Sequence, residues 1–150
     1  MSDRTAQPGG NTAPWVEGGA WTQAFAAREE DAFAGAFAQD VVLEAPTLNR
    51  PVKGREIVAL IMGAASRIYE SLVFTHEAHN RDRSYVEWEA AAFGGTQLLG
   101  STILVRNENG EIAKAVVQHR PLSGVLAFSA EMGRQLKGQV DDDLFHQSGE

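Results

Sequence analysis

Residues 72–120 read LVFTHEAHNRDRSYVEWEAAAFGGTQLLGSTILVRNENGEIAKAVVQHR. Four runs of strand length stand out in this stretch: Leu72–Asn80, Ser84–Phe93, Gln97–Arg106 and Ile112–Arg120. Their β-branched and aromatic content suits a pleated, half-buried surface. Arg81-Asp82-Arg83, Gly94-Gly95 and Asn107-Glu108-Asn109-Gly110 punctuate them as turns. Turns this short join only antiparallel neighbours, so the stretch predicts a meander of four strands.

Upstream of the meander the apolar period becomes helical. Between Trp15 and Phe37, the residues Trp21, Phe25, Phe33 and Phe37 recur at helical spacing. The charged patch Arg28-Glu29-Glu30-Asp31 splits this region into two short helices, with Asp31 or a neighbour capping the second. Val41-Val42-Leu43 reads as a short buried strand that Pro46 limits. After a turn over 49–54, Arg55 to about Tyr69 forms a helix with Ile57, Leu60, Ile61, Ala64 and Ile68 on one stripe. Gly63, in the middle of it, marks close packing. Downstream, Leu122 to Lys137 is helical, opened by Pro121 and stopped near Gly138. Helices first, then a segregated antiparallel sheet, define an α+β domain.

Composition narrows the function classes. A chain of 150 residues predicts one domain. Thirteen Lys and Arg against twenty Asp and Glu leave a net charge of −7, against the basic surface a nucleic-acid binder needs. The absence of cysteine excludes disulfides, thiolate metal sites, iron–sulfur clusters and cysteine nucleophiles. The longest apolar-or-small run, Ile57–Ala65, falls far short of the roughly 20 residues that cross a bilayer, so no membrane partner is expected. Residues 1–14 lack periodicity and an apolar leader, and read as a disordered arm on a cytoplasmic protein. Residues 138–150 carry Asp141, Asp142 and Asp143 in a row and read as a solvated acidic tail, leaving 15–137 as the folded domain. Gly18-Gly19 and Gly94-Gly95 match no phosphate or dinucleotide loop, and no metal motif is present, so no cofactor is expected.

The stretch AFAAREEDAFAGAFAQDVVLEAP, ending at Pro46, and the phrase Pro51-Val52-Lys53-Gly54-Arg55-Glu56 resemble the helix–helix–strand opening and third-helix start of the SnoaL-like, nuclear transport factor 2-like superfamily. The segments His119-Arg120-Pro121-Leu122-Ser123 and Met132-Gly133-Arg134 resemble the ending of an uncharacterised bacterial branch. The resemblance covers about residues 15–137. It implies a cone-shaped, curved antiparallel sheet wrapped around the N-terminal helices, a pocket at the open end, and a homodimer through the outer face of the sheet. It also implies cofactor-independent acid–base chemistry (cyclisation, isomerisation, dehydration or water addition) on a small apolar molecule, or else a non-catalytic ligand-binding or dimerisation module. The superfamily includes ketosteroid isomerase, whose catalytic aspartate, tyrosine and second aspartate fall by the same resemblance on Ala45, Trp21 and Thr102. Alanine takes no proton and indole only donates, so that constellation is not reproduced.

Strand alternation selects other candidates. On Leu72–Asn80 the more apolar set is Leu72, Phe74, His76 and Ala78, which turns His76 inward. On the last strand the set Ala113, Ala115, Val117 and His119 places small residues beside a histidine. On Ser84–Phe93, hydrophobicity points Val86 and Trp88 inward. The resemblance points Glu89 inward instead, with Trp88 on the dimer-forming face. On that second reading His76, His119 and Glu89 form the acid–base group, a carboxylate-oriented histidine being a competent base near neutral pH. Trp21, Phe25, Ala45, Thr102 and Tyr69 then shape the substrate site, and HEAH, whose two imidazoles face opposite ways, is no metal pair.

Overall fold

The structure, a computed structural model, describes residues 11–147. Most of the expected N-terminal arm, residues 1–10, lies outside the described residues, as do residues 148–150. The elements are β1 (Asn11–Thr12), α1 (Ala20–Ala27), α2 (Glu30–Ala36), β2 (Phe37–Glu44), β3 (Val52–Lys53), α3 (Arg55–Ile68), β4 (Ser71–Asn80), β5 (Arg83–Ala92), β6 (Thr96–Arg106), β7 (Ile112–Arg120) and α4 (Leu122–Gln135). A one-turn 3₁₀ helix follows at Asp142–Leu144.

The four expected strands form the meander β4-β5-β6-β7, each pair antiparallel. The full sheet has seven strands in the order β1-β4-β5-β6-β7-β2-β3, with β1 parallel to β4 and β2 parallel to β7. It is a curved, unclosed sheet. Register shifts lie between Phe74 and His76 and between Val105 and Arg106. An extra residue at such a place bends the strand and raises its twist.

The concave face carries Trp88, Ala90, Leu98, Thr102 and Leu104, all buried. Helix α3 supplies Val58, Ile61, Met62 and Ala65 to the same core, and α4 supplies Phe128 and Met132. Two glycines set these distances. A Cβ on Gly63 would lie 2.9 Å from the Glu30 Cβ and 3.1 Å from the Glu30 Cα, so α2 and α3 cross with backbone against backbone. A Cβ on Gly124 would meet the Leu98 side chain at 2.6 Å, which seats α4 against β6. Glu29, at the N-cap of α2, makes no side-chain cap, and Asp31 sits in the first turn, where it favours the helix dipole without capping.

The ends of the domain differ from expectation. Asn11 and Thr12 pair with Val73 and Phe74, so this part of the arm is a strand. Asp141, Asp142 and Asp143 are exposed as expected of an acidic tail, but Leu144 and Phe145 are 3% and 1% exposed and belong to the core. The backbone of Asn49 donates to the Leu144 carbonyl at 2.8 Å, and Arg50 pairs with Asp141 and Asp143. The acidic segment is therefore docked: Leu144 and Phe145 enter the core while the three aspartates stay in solvent.

Candidate functional site

A cavity of about 30 Å³ lies between the concave face, α1, α3 and α4. At roughly 10–15 Å³ per water this is room for about two waters. Its wall is aromatic: Tyr69 stands 4.8 Å from Phe128 and 5.8 Å from Trp88, centroid to centroid, and His119 stands 5.4 Å from Trp88 and 6.0 Å from Phe128. Trp21, Phe25, Ala45, Tyr69 and Thr102, the residues expected to shape a substrate site, all line it. So does His119.

The other two acid–base candidates do not. His76 and Glu87 are outward partners on the sheet, 3.6 Å apart, with both side chains 66% exposed. Glu89 is exposed on the same outer face. The orientation drawn from the resemblance is thus reversed on β5: Trp88 is 4% exposed and inside, so it cannot serve an outer dimer face. Two local features cause this. An extra residue at Thr75 breaks the alternation of β4, so Phe74 pairs with inward Trp88 but His76 pairs with outward Glu87. Across from Trp88 stands Gly100, where a Cβ would lie 2.3 Å from the Trp88 Cζ2. Glycine leaves the slot that the indole fills. A glycine facing a tryptophan across two predicted strands was the available sequence signal for this arrangement.

The polar groups of the cavity are few. The Trp88 indole N–H donates to the Thr102 Oγ1 at 3.0 Å, which satisfies it. Among the described residues four buried side-chain polar atoms have no hydrogen-bond partner: Arg28 Nε, away from the cavity, and, on residues that line it, the Trp21 Nε1 and both ring nitrogens of His119. Burial lowers the His119 pKa to about 4, so the ring is neutral at pH 7, with one N–H and one lone pair. Burial also raises the Tyr69 phenol, which stays protonated. Among the residues lining the cavity none is Lys, Arg, Asp or Glu.

His119 also lines a surface groove of about 330 Å³, together with Glu44, Pro46 and Val116. The pairing of β2 with β7 ends at Glu44 and Val116, and Pro46 then turns the chain away. Val117 and His119, beyond the last paired residue, thus separate groove from cavity. The near wall is held by α4: the Ser129 hydroxyl donates to the Thr47 carbonyl at 2.6 Å and accepts from the His146 N–H at 2.8 Å.

No protein-family model matches the sequence, and no curated protein matches it. Solved structures do match the fold. A steroid delta-isomerase from Pseudomonas aeruginosa is 24% identical, with a TM-score of 0.71 over 77% of this chain and 85% of that one. An uncharacterised bacterial protein with a cystatin-like fold from Silicibacter pomeroyi is 21% identical, with a TM-score of 0.71 over 75% and 79%. A SnoaL-like protein of unknown function from Burkholderia thailandensis is 16% identical, with a TM-score of 0.58 over 67% and 89%.

Proposed function

We propose, from the premise that this chain has the SnoaL-like, nuclear transport factor 2-like fold, that it holds a small, uncharged, largely apolar molecule bearing one hydrogen-bond acceptor. His119, neutral, donates to that acceptor or exchanges a proton with it, and Trp21 Nε1 supplies a second donor.

One observation carries the reading: Trp21 and His119, which line an otherwise apolar, aromatic cavity, hold three buried polar atoms without a partner among the described residues. A buried polar group without a partner costs about 1–3 kcal/mol, and a bound carbonyl or hydroxyl recovers that cost. The ligand is uncharged because no opposite charge lines the cavity to offset desolvation. Ligand cavities are typically about 300–1,000 Å³. The body of the molecule therefore occupies the groove, with its polar end entering past His119.

Two grades of activity fit this site. In the first, His119 acts in cofactor-independent acid–base chemistry, which needs the bound ligand to strengthen a ring whose pKa is about 4. In the second, the site binds without turnover, and that same low pKa favours it.

A thermal-shift screen with neutral ketones, enones and lactones, each matched to a carboxylate of similar size, tests the reading. Neutral compounds are expected to raise the melting temperature of the wild type and to lose most of that shift in His119→Leu and Trp21→Phe. Equal shifts from the carboxylates, or shifts retained in both variants, would sink it. Mass spectrometry of any hit incubated with the wild type and with His119→Asn separates catalysis from binding.

A further inference from the structure

The extra residue at Thr75 that turns His76 outward also turns Glu77 and His79 inward, as partners of Val86 and Ser84 at the far end of the concave face. There they meet Glu17, from the segment ahead of α1. One atom from each of Glu17, Glu77 and His79 can be chosen so that all three lie within 4.8 Å of one another. The Glu77 side chain is only 8% exposed, although it carries a carboxylate. Its Oε1 accepts from the backbone N–H of Glu17 at 2.6 Å and of Gly18 at 3.3 Å. Its Oε2 stands 3.3 Å from His79 Nε2, but no hydrogen bond joins them among the described residues.

We propose that Glu17, Glu77 and His79 form a binding site for a divalent transition ion of the zinc class, which clips the segment ahead of α1 to β4. Three points support this. Zinc takes imidazole nitrogen and carboxylate oxygen at about 2.0–2.2 Å, which in a tetrahedron separates ligand atoms by about 3.3–3.6 Å. The Glu77–His79 separation of 3.3 Å already matches that edge. The outer support is also in place. His79 Nδ1 meets the Ser84 Oγ at 2.9 Å, and Arg106 holds that oxygen by a 2.6 Å hydrogen bond. A ligating histidine is normally oriented through its second nitrogen in this way. Finally, two carboxylates gather here with no Lys or Arg paired to either among the described residues. A divalent cation removes the repulsion that this creates.

Untagged protein titrated with Zn²⁺ alone, by calorimetry and by thermal melting, tests the site. One ion per chain and a raised melting temperature are expected. Glu17→Gln, an exposed change that spares the fold, should weaken the affinity at least tenfold, as should His79→Gln. His76→Gln, three residues away on the outer face, should bind as the wild type does. Absence of stoichiometric Zn²⁺ in the wild type, unchanged affinity in Glu17→Gln and His79→Gln, or equal binding of Mg²⁺ would overturn the assignment. The last result would mean diffuse attraction to acidic groups without a nitrogen ligand.

Discussion

Gly100 and His119 are adjacent partners across β6 and β7, and each predicts a measurable consequence. Gly100→Ala places a methyl 2.3 Å from the Trp88 ring and 2.6 Å from the Gln118 carbonyl. The indole can tilt but the backbone oxygen cannot, so the substitution should cost about 1–3 kcal/mol in urea unfolding. An unchanged midpoint would show that Trp88 does not fill this slot. For His119, the folded pKa of about 4 lies below the unfolded value of 6.5. Between those values the unfolded chain binds the extra proton, so stability falls as the pH drops from 6.5 towards 4. The fall amounts to about 3 kcal/mol at most. His119→Leu should flatten that slope and, by removing two orphaned nitrogens, raise stability at pH 7 while abolishing ligand-induced shifts. Parallel pH–stability curves for variant and wild type would refute the buried, neutral imidazole. His119 was legible in the sequence because alternation on β7 runs unbroken through Ala115, Val117 and His119. His76 was not, since nothing in LVFTHEAHN marks Thr75 as the residue where the count slips by one.

At the scale of elements, α2 and α3 meet at Gly63. Alanine is the better helix former by about 1 kcal/mol, and on propensity alone Gly63→Ala would stabilise α3. The contact decides otherwise: the new methyl would sit 2.9 Å from the Glu30 Cβ and 3.1 Å from its Cα and N, so α2 must move away. We expect a net loss of about 1–2 kcal/mol, read from thermal or urea unfolding. A gain would mean that the crossing has slack. Helices α3 and α4, the meander and its turns could be read from the sequence to within about two residues, because each has a period of its own and a turn at either end. The helical region read from Trp15 to Phe37 instead starts at Ala20, and Phe37 opens a strand that runs to Glu44 where only Val41–Leu43 was expected. The facing of β5 could also be read: the plain rule that buries Val86 and Trp88 was correct, and the orientation taken from the resemblance was not. Family likeness at this distance conveys the course of the backbone better than the aim of single side chains.

For the molecule as a whole, the unexpected feature is the docked acidic segment. Leu144 and Phe145 are a lone apolar pair within a charged stretch, too short to show a period, and only the tertiary fold reveals their burial. Phe145→Ala should cost about 3–5 kcal/mol, because the ring packs in the core, against Gly133. A loss under 1 kcal/mol would show the segment to be detached in solution. Weakening this segment should also loosen the cavity, since Thr47 is held through Ser129, which in turn accepts from His146. The Asn49 side chain, on the same loop, donates to a carbonyl 94 residues further along. At about 5–20 residues per second, a ribosome takes about 5–20 s to supply that partner after it has made the loop. The chamber is thus finished only after 94 further residues have been made, and until then the aromatic lining of a half-built wall is open to chaperones and to neighbouring nascent chains.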